Sequence, residues 1–155
     1  MCRNCLRRRH ELLNIIINSI IAGVASGSFT ILYNARFSDA LIAGAIGALG
    51  WFVNSTLNGY GMLTATLISA FTIGIVGRVI SRVRHMPSQP LIVGGIVVLV
   101  PGFMAFKAMN AFVVGKNTEG TTLMLNTFLT AAAIGTGLIV AVAITAIIFK
   151  IRIRR

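Results

Sequence analysis

Residues 91–114 read LIVGGIVVLVPGFMAFKAMNAFVV, an apolar run long enough to cross a bilayer, with Pro101-Gly102 near its middle. Proline has no N–H to donate, and its ring clashes with the carbonyl four residues back, here that of Val97. Gly102 beside it admits backbone angles that other residues resist. The stretch therefore predicts a half-helix to about Leu99, a break, and a second half-helix from near Gly102. In hydrocarbon an interrupted backbone is tolerated only where protein buries it or water reaches it. Two readings stay open. One is a mid-membrane binding site, where a half-helix N-terminus offers N–H groups and the positive end of its dipole. The other is a proline kink in a packing helix.

The rest of the chain fits a membrane setting. Of its 155 residues 56% are hydrophobic and 11% charged, less than half the roughly 25% charge of a soluble domain. Mean hydropathy is +0.89. An all-α, polytopic integral membrane helix bundle follows, with residues 1–155 forming a single transmembrane domain. Its five hydrophobic segments are 12–32, 40–53, 62–79, 91–114 and 128–149, and none alternates with the period of a strand. The net charge of +11 sits in flanking clusters: Arg3, Arg7, Arg8 and Arg9; Arg78, Arg82 and Arg84; Lys150, Arg152, Arg154 and Arg155. Such clusters face lipid headgroups, and no stacking aromatics interleave them, so nucleic acid is excluded as a partner.

The basic clusters at both ends and in the linker around Arg82 all favour the cytoplasm, whereas five crossings put the termini on opposite sides. Both termini inside is the expectation. Either a partner fixes a topology that violates the charge rule, or one segment does not fully cross, 40–53 being the candidate. That segment is short and rich in small residues. Gly44, Gly47 and Gly50 there, and Gly74 and Gly77 in the third segment, let helix backbones approach closely. Ser38 or Asp39 is expected to cap segment 40–53, and residues 54–59 to form an uncharged polar loop. Trp51 and Tyr60 suit an interface belt.

In the first segment, which imitates a signal peptide but is expected to stay as a span, Asn14, Asn18, Ala22 and Ala25 make a polar and small stripe for packing. Asn126, Thr130, Ala133 and Gly137 make another in the last. Thr64, Thr66, Ser69 and Thr72 can bond back to their own helix. Pro87 and Pro90 predict a linker over residues 81–90, and residues 115–120 a polar loop.

No catalytic constellation emerges: the acids are Glu11, Asp39 and Glu119, all near segment ends, and general acid–base work needs two placed titratable groups. The chain reads as a non-enzyme with no metal and no cofactor. Cys2 and Cys5 form a C-x-x-C with only His10 nearby, short of the four ligands of a zinc site. They read as incidental thiols or acylation sites.

Lys107 is the ionisable group inside a span, and Phe103, Lys107, Asn110 and Val114 share its helix face. It either meets a substrate anion or snorkels to the interface. The substrate-path candidates are Pro101, Gly102, Lys107, Asn110, Asn126 and Thr130. With no carboxylate in mid-span, any proton relay belongs to another subunit.

The run GSFTILYNARFSDALIAGAIGALGW resembles a segment of the threonine/serine exporter family, in its small-subunit (YjjB-like) branch. IVVLVPGFMAFKAMNAFVV resembles that family's proline–glycine signature, and NTFLTAAAIGTGLIVAVAI its final helix. By this resemblance Pro101 and Gly102 carry over as the signature, Lys107 is not fixed by the pattern, and Asn34-Ala35 lacks the proline often found there. The resemblance implies a subunit of a secondary exporter in the bacterial inner membrane. Its small-molecule substrate is threonine, serine or a dicarboxylate, and its partner a larger YjjP-like membrane subunit. The alternatives are a non-transporting assembly or regulatory subunit, and a homo-oligomeric pore.

Overall fold

The computed structural model describes the backbone of residues 3–85 and 87–153, and the side chains of residues 13–85 and 87–149. Cys2, Cys5 and the terminal basic side chains lie outside the described residues. Among the described residues every element is helical: α1 (Arg3–Leu32), α2 (Phe37–Leu57), a 3₁₀ turn (Asn58–Tyr60), α3 (Met62–Arg84), α4 (Ser88–Ile96) running into a 3₁₀ turn (Val97–Leu99), α5 (Gly102–Val113) and α6 (Asn117–Ile153).

Several helices outrun their hydrophobic segments, because asparagine, serine, threonine and arginine do not stop a helix as proline and glycine do. α2 has 21 residues, about 31 Å at ~1.5 Å per residue. Segment 40–53 is its apolar centre, and the helix is long enough to cross, which overturns the expectation of a partial crossing. Residues 54–57, expected in a loop, are its last turn. Ser38 and Asp39 lie inside its first turn, and Arg36 occupies the cap without a side-chain bond. α3 continues through Arg84 and stops at His85, in the left-handed region at φ 55°. α4 takes Pro90 into its first turn, where the missing N–H costs no intrahelical bond. α6 starts at Asn117, so most of the expected loop over 115–120 is helix.

The helices meet where side chains are small. A Cβ on Gly23 would lie 3.0 Å from the Gly44 carbonyl oxygen, and a Cβ on Gly27 3.0 Å from that of Ala40, so α1 and α2 run antiparallel in backbone contact. Gly77 meets Ile92, and Gly95 meets Ile46 and Ile73; α4 is thus wedged between α2 and α3. Gly137 sits on Leu67 and Ala70, Gly74 on Leu138 and Ala141, and the Arg82 guanidinium lies 4.6 Å from the Phe149 ring centroid. α3 and α6 therefore run parallel. The core gathers Ala43, Ile46, Ala70, Ile73, Leu91, Leu99 and Ile134.

This order places the N-terminal end of α1 and the C-terminal end of α6 at opposite ends of the bundle. With five spans the two termini fall on opposite faces, correcting the expectation of both inside. Between helices, Arg36, Arg82 and Arg84 mark one face and Lys116 the other.

The buried face of α1 is Ser19, Ala22, Ser26 and Thr30. Of the expected stripe only Ala22 belongs to it; Asn14, Asn18 and Ala25 face outward. Ser26, fully buried, donates to the Gly94 carbonyl at 2.5 Å, with the Ala43 carbonyl 3.0 Å away. One hydroxyl thus joins three helices. A Cβ on Gly94 would overlap Thr30 Oγ1 and lie 3.2 Å from the Ala43 Cβ. Gly94→Ala should lower stability in detergent by about 1–3 kcal/mol, read as an earlier thermal unfolding midpoint. Gly135→Ala, where an added Cβ meets nothing within 4 Å, should leave that midpoint unchanged or slightly raised.

Candidate functional site

The break in the fourth span follows from the missing N–H of Pro101. The Val97 carbonyl loses its α-helical donor, and the Val100 N–H reaches it instead at 3.4 Å, closing the 3₁₀ turn. Val100 is extended (ψ 127°), and Pro101 stands at φ −77°, ψ 46° before α5 begins at Gly102. The two half-helices meet at a bend of 47°. A bend of that size carries the chain onward rather than back, so the pair is a broken span. Pro101 is half-buried and Gly102 exposed, with nothing within 4 Å of an added Cβ.

Beyond the break α5 leaves the bundle and packs on α6. A Schellman turn closes the hairpin. The Gly115 N–H donates to the Phe112 carbonyl (3.0 Å) and the Lys116 N–H to that of Ala111 (2.9 Å), with Gly115 at φ 81°. Phe112 lies flat over Gly120, whose added Cβ would be 3.0 Å from the ring.

This hairpin frames a cleft of about 220 Å³ lined by Lys107, Asn110, Ala111, Val114, Lys116, Glu119 and Leu123. Two of the expected candidates, Lys107 and Asn110, come together here. The Lys107 ammonium folds back to 4.8 Å from the Phe103 ring centroid, a cation–π contact one turn nearer the break, rather than stretching toward the Lys116 end. Lys116 Nζ and Glu119 Oε2 pair at 3.6 Å, both largely exposed. Lys116 and Glu119 are not among the sequence candidates, because residues 115–120 read as a loop; their i, i+3 spacing at a helix start is the signal that marks them.

The other candidates stand apart. Asn126 is exposed, and Thr130, buried, spends its hydroxyl on the Asn126 carbonyl at 2.7 Å. Thr130, Ala133 and Gly137 form the packed stripe of α6. Gly44, Gly47, Gly50, Gly74 and Gly77 are all buried at helix contacts. Thr64, Thr66, Ser69 and Thr72 each donate to the carbonyl four residues back, so their donors are satisfied without a ligand. Arg78, also inside a span, donates to the Val142 carbonyl at 3.3 Å and to Thr145 Oγ1 at 3.5 Å. Among the described residues two buried polar side-chain atoms have no protein partner, Asp39 Oδ1 and Trp51 Nε1.

Replacing Pro101 by alanine restores an N–H to the Val97 carbonyl. Spin labels at the exposed positions Val93 and Val113 should then move apart by about 2–3 Å as the bend of 47° relaxes; an unchanged distance would show that packing, not the proline, sets the angle.

The sequence matches the family described as Threonine/Serine exporter, ThrE, over residues 18–144. A protein of Mycobacterium tuberculosis named "Probable threonine/serine exporter" is 29% identical over 130 residues, covering 82% of this chain. The chain spans about a quarter of that relative, 25% of its length. No solved structure matches the chain.

Proposed function

The chain belongs to the threonine/serine exporter family, and from that membership we propose that it is the membrane subunit of a secondary exporter for small amino acids. It is a multi-pass membrane protein, and the bacterial inner membrane is the proposed location. The observation that carries the substrate reading is the charge set of the α5–α6 cleft. Lys107 and Lys116 offer cations and Asn110 an amide, while Glu119 supplies a carboxylate. A zwitterion needs both signs. Lys116 is already paired with Glu119, so a dicarboxylate would find Lys107 as the one unpaired cation among the cleft residues for its two charges, which favours the amino acid of the two substrate classes.

Alternating access is the proposed mechanism, with the break at Pro101-Gly102 letting α5 change its angle to α4. The proposed partner is a larger membrane subunit. In support, Asn14 and Asn18 face outward from the apolar part of α1, and amide side chains there find hydrogen bonds on another helix, not in lipid. The relative's greater length is consistent with a transporter built from more chain than this.

The test is export from cells or vesicles carrying this chain with its co-purifying membrane partner. Lys107→Met should raise the half-saturating threonine concentration about tenfold, the worth of one hydrogen bond to a charged group. An unaltered value would return Lys107 to a purely interfacial role. Glu119→Gln should weaken threonine export while improving that of succinate; a parallel loss of both would remove the carboxylate from substrate selection. Pro101→Ala should slow export with membrane insertion intact, and normal export would detach the break from transport.

A further inference from the structure

We propose that the crevice between α2 and α3 holds an acyl chain of an anionic phospholipid, with the lipid phosphate on Arg84. The crevice measures about 460 Å³ and is lined by Leu41, Ile42 and Ala45 of α2 and by Val79, Ile80, Val83 and Arg84 of α3. Six of these seven residues are aliphatic, and the seventh is a guanidinium at the membrane-face end of α3. Apolar walls leading to one cation match an acyl tail leading to one phosphate.

Its origin is the wedge. α4 enters between α2 and α3 from the core side, with Gly95 against Ile46 and Ile73. Ile42 and Ile80 pack inward against the core. On the outer side nothing fills the gap, and Ala45 is too short to do so. Leu41 and Val83, 63% and 74% exposed, stand at its lips.

The dimensions favour a lipid over a protein helix. The lining runs along residues 41–45 and 79–84, roughly 6–8 Å of each helix axis. That is little more than one turn, too short for the ridges of a neighbouring helix to interlock, but enough to seat part of a flexible chain. Arg84 is exposed and has no carboxylate partner among the described residues. Asp39, the acid at this end of α2, is not among the lining residues. Basic pockets between membrane helices are known to hold anionic headgroups.

The other two arginines near the end of α3 are differently engaged, which makes the claim specific. Arg82 lies over the Phe149 ring, and Arg78 donates to Val142 and Thr145 of α6. Both point to the α3–α6 groove. Arg84 alone of the three lines the α2–α3 crevice.

The experiment places the full chain in phosphatidylcholine nanodiscs doped with spin-labelled phosphatidylglycerol or spin-labelled phosphatidylcholine. The motionally restricted fraction of each label is then read by electron paramagnetic resonance. A preference for phosphatidylglycerol is expected, and Arg84→Gln should reduce it about fivefold, the worth of one basic residue near an anionic surface. Arg82→Gln should leave it unchanged. Ala45→Phe, which fills the floor, should reduce the restricted fraction of both labels.

Equal losses from Arg84→Gln and Arg82→Gln would reveal only diffuse attraction to a basic face and overturn the proposal. So would efficient disulfide cross-linking in native membranes through Val83→Cys in a background without Cys2 and Cys5, because protein would then cover the crevice. If Ala45→Phe fails to fold, the comparison of the two arginine variants decides alone.

Discussion

One hydroxyl holds the arrangement of the bundle. Ser26 reaches from α1 to the carbonyls of Gly94 on α4 and Ala43 on α2, inside an apolar core where water cannot take its place. The contact is available only because Gly94 lacks a side chain and because Gly23, Gly27 and Gly44 bring α1 and α2 into backbone contact. Between soluble helices hydrophobic burial would supply most of the attraction. In a bilayer, lipid tails are as apolar as leucine, so close packing and hydrogen bonds decide which helices associate. Lengthening Gly94 would press on Thr30 of α1 and Ala43 of α2 at once.

From that junction the rest follows in order. α4 is held short and central, with its apolar side chains between α2 and α3. The proline at the end of α4 then cannot pass the helix straight on, and α5 departs at an angle toward α6. The long last helix serves two neighbours along its length, α5 near its start and α3 further on. The cleft with Lys107, Asn110, Lys116 and Glu119 sits in the first of these contacts, outside the tightly packed core. The proposed carrier role would draw on this contrast between a packed centre and a looser polar edge, since binding groups need freedom that core residues lack.

The features legible in the sequence were those set by local chemistry. The missing N–H of Pro101 is a property of one residue, so the break could be located from the chain alone. The hydroxyls bonding back within α3 follow from helical spacing. The face of α1 was not legible. Asn14-Asn18-Ala22-Ala25 and Ser19-Ala22-Ser26-Thr30 are adjacent stripes of similar polarity with the same period, and only the position of α4 selects the second. The ends of α2, α3 and α6 are not legible either, because polar residues in an apolar chain read as loops, although none of them breaks a helix. The parallel packing of α3 and α6 joins residues such as Gly74 and Ala141, whose meeting no spacing along the chain announces.

The hairpin of α5 and α6 gives the molecule a lever arm. Among the described residues α5 packs chiefly on α6, apart from its covalent link through Pro101. Its 12 residues extend about 18 Å from the pivot. A rotation of only about 10° there would sweep its far end through roughly 3 Å, the width of a water molecule. Small torsional changes at Val100 and Pro101 are thus amplified at the rim of the cleft, while the glycine-packed centre stays still. Gating by this chain would need no helix of the core to slide.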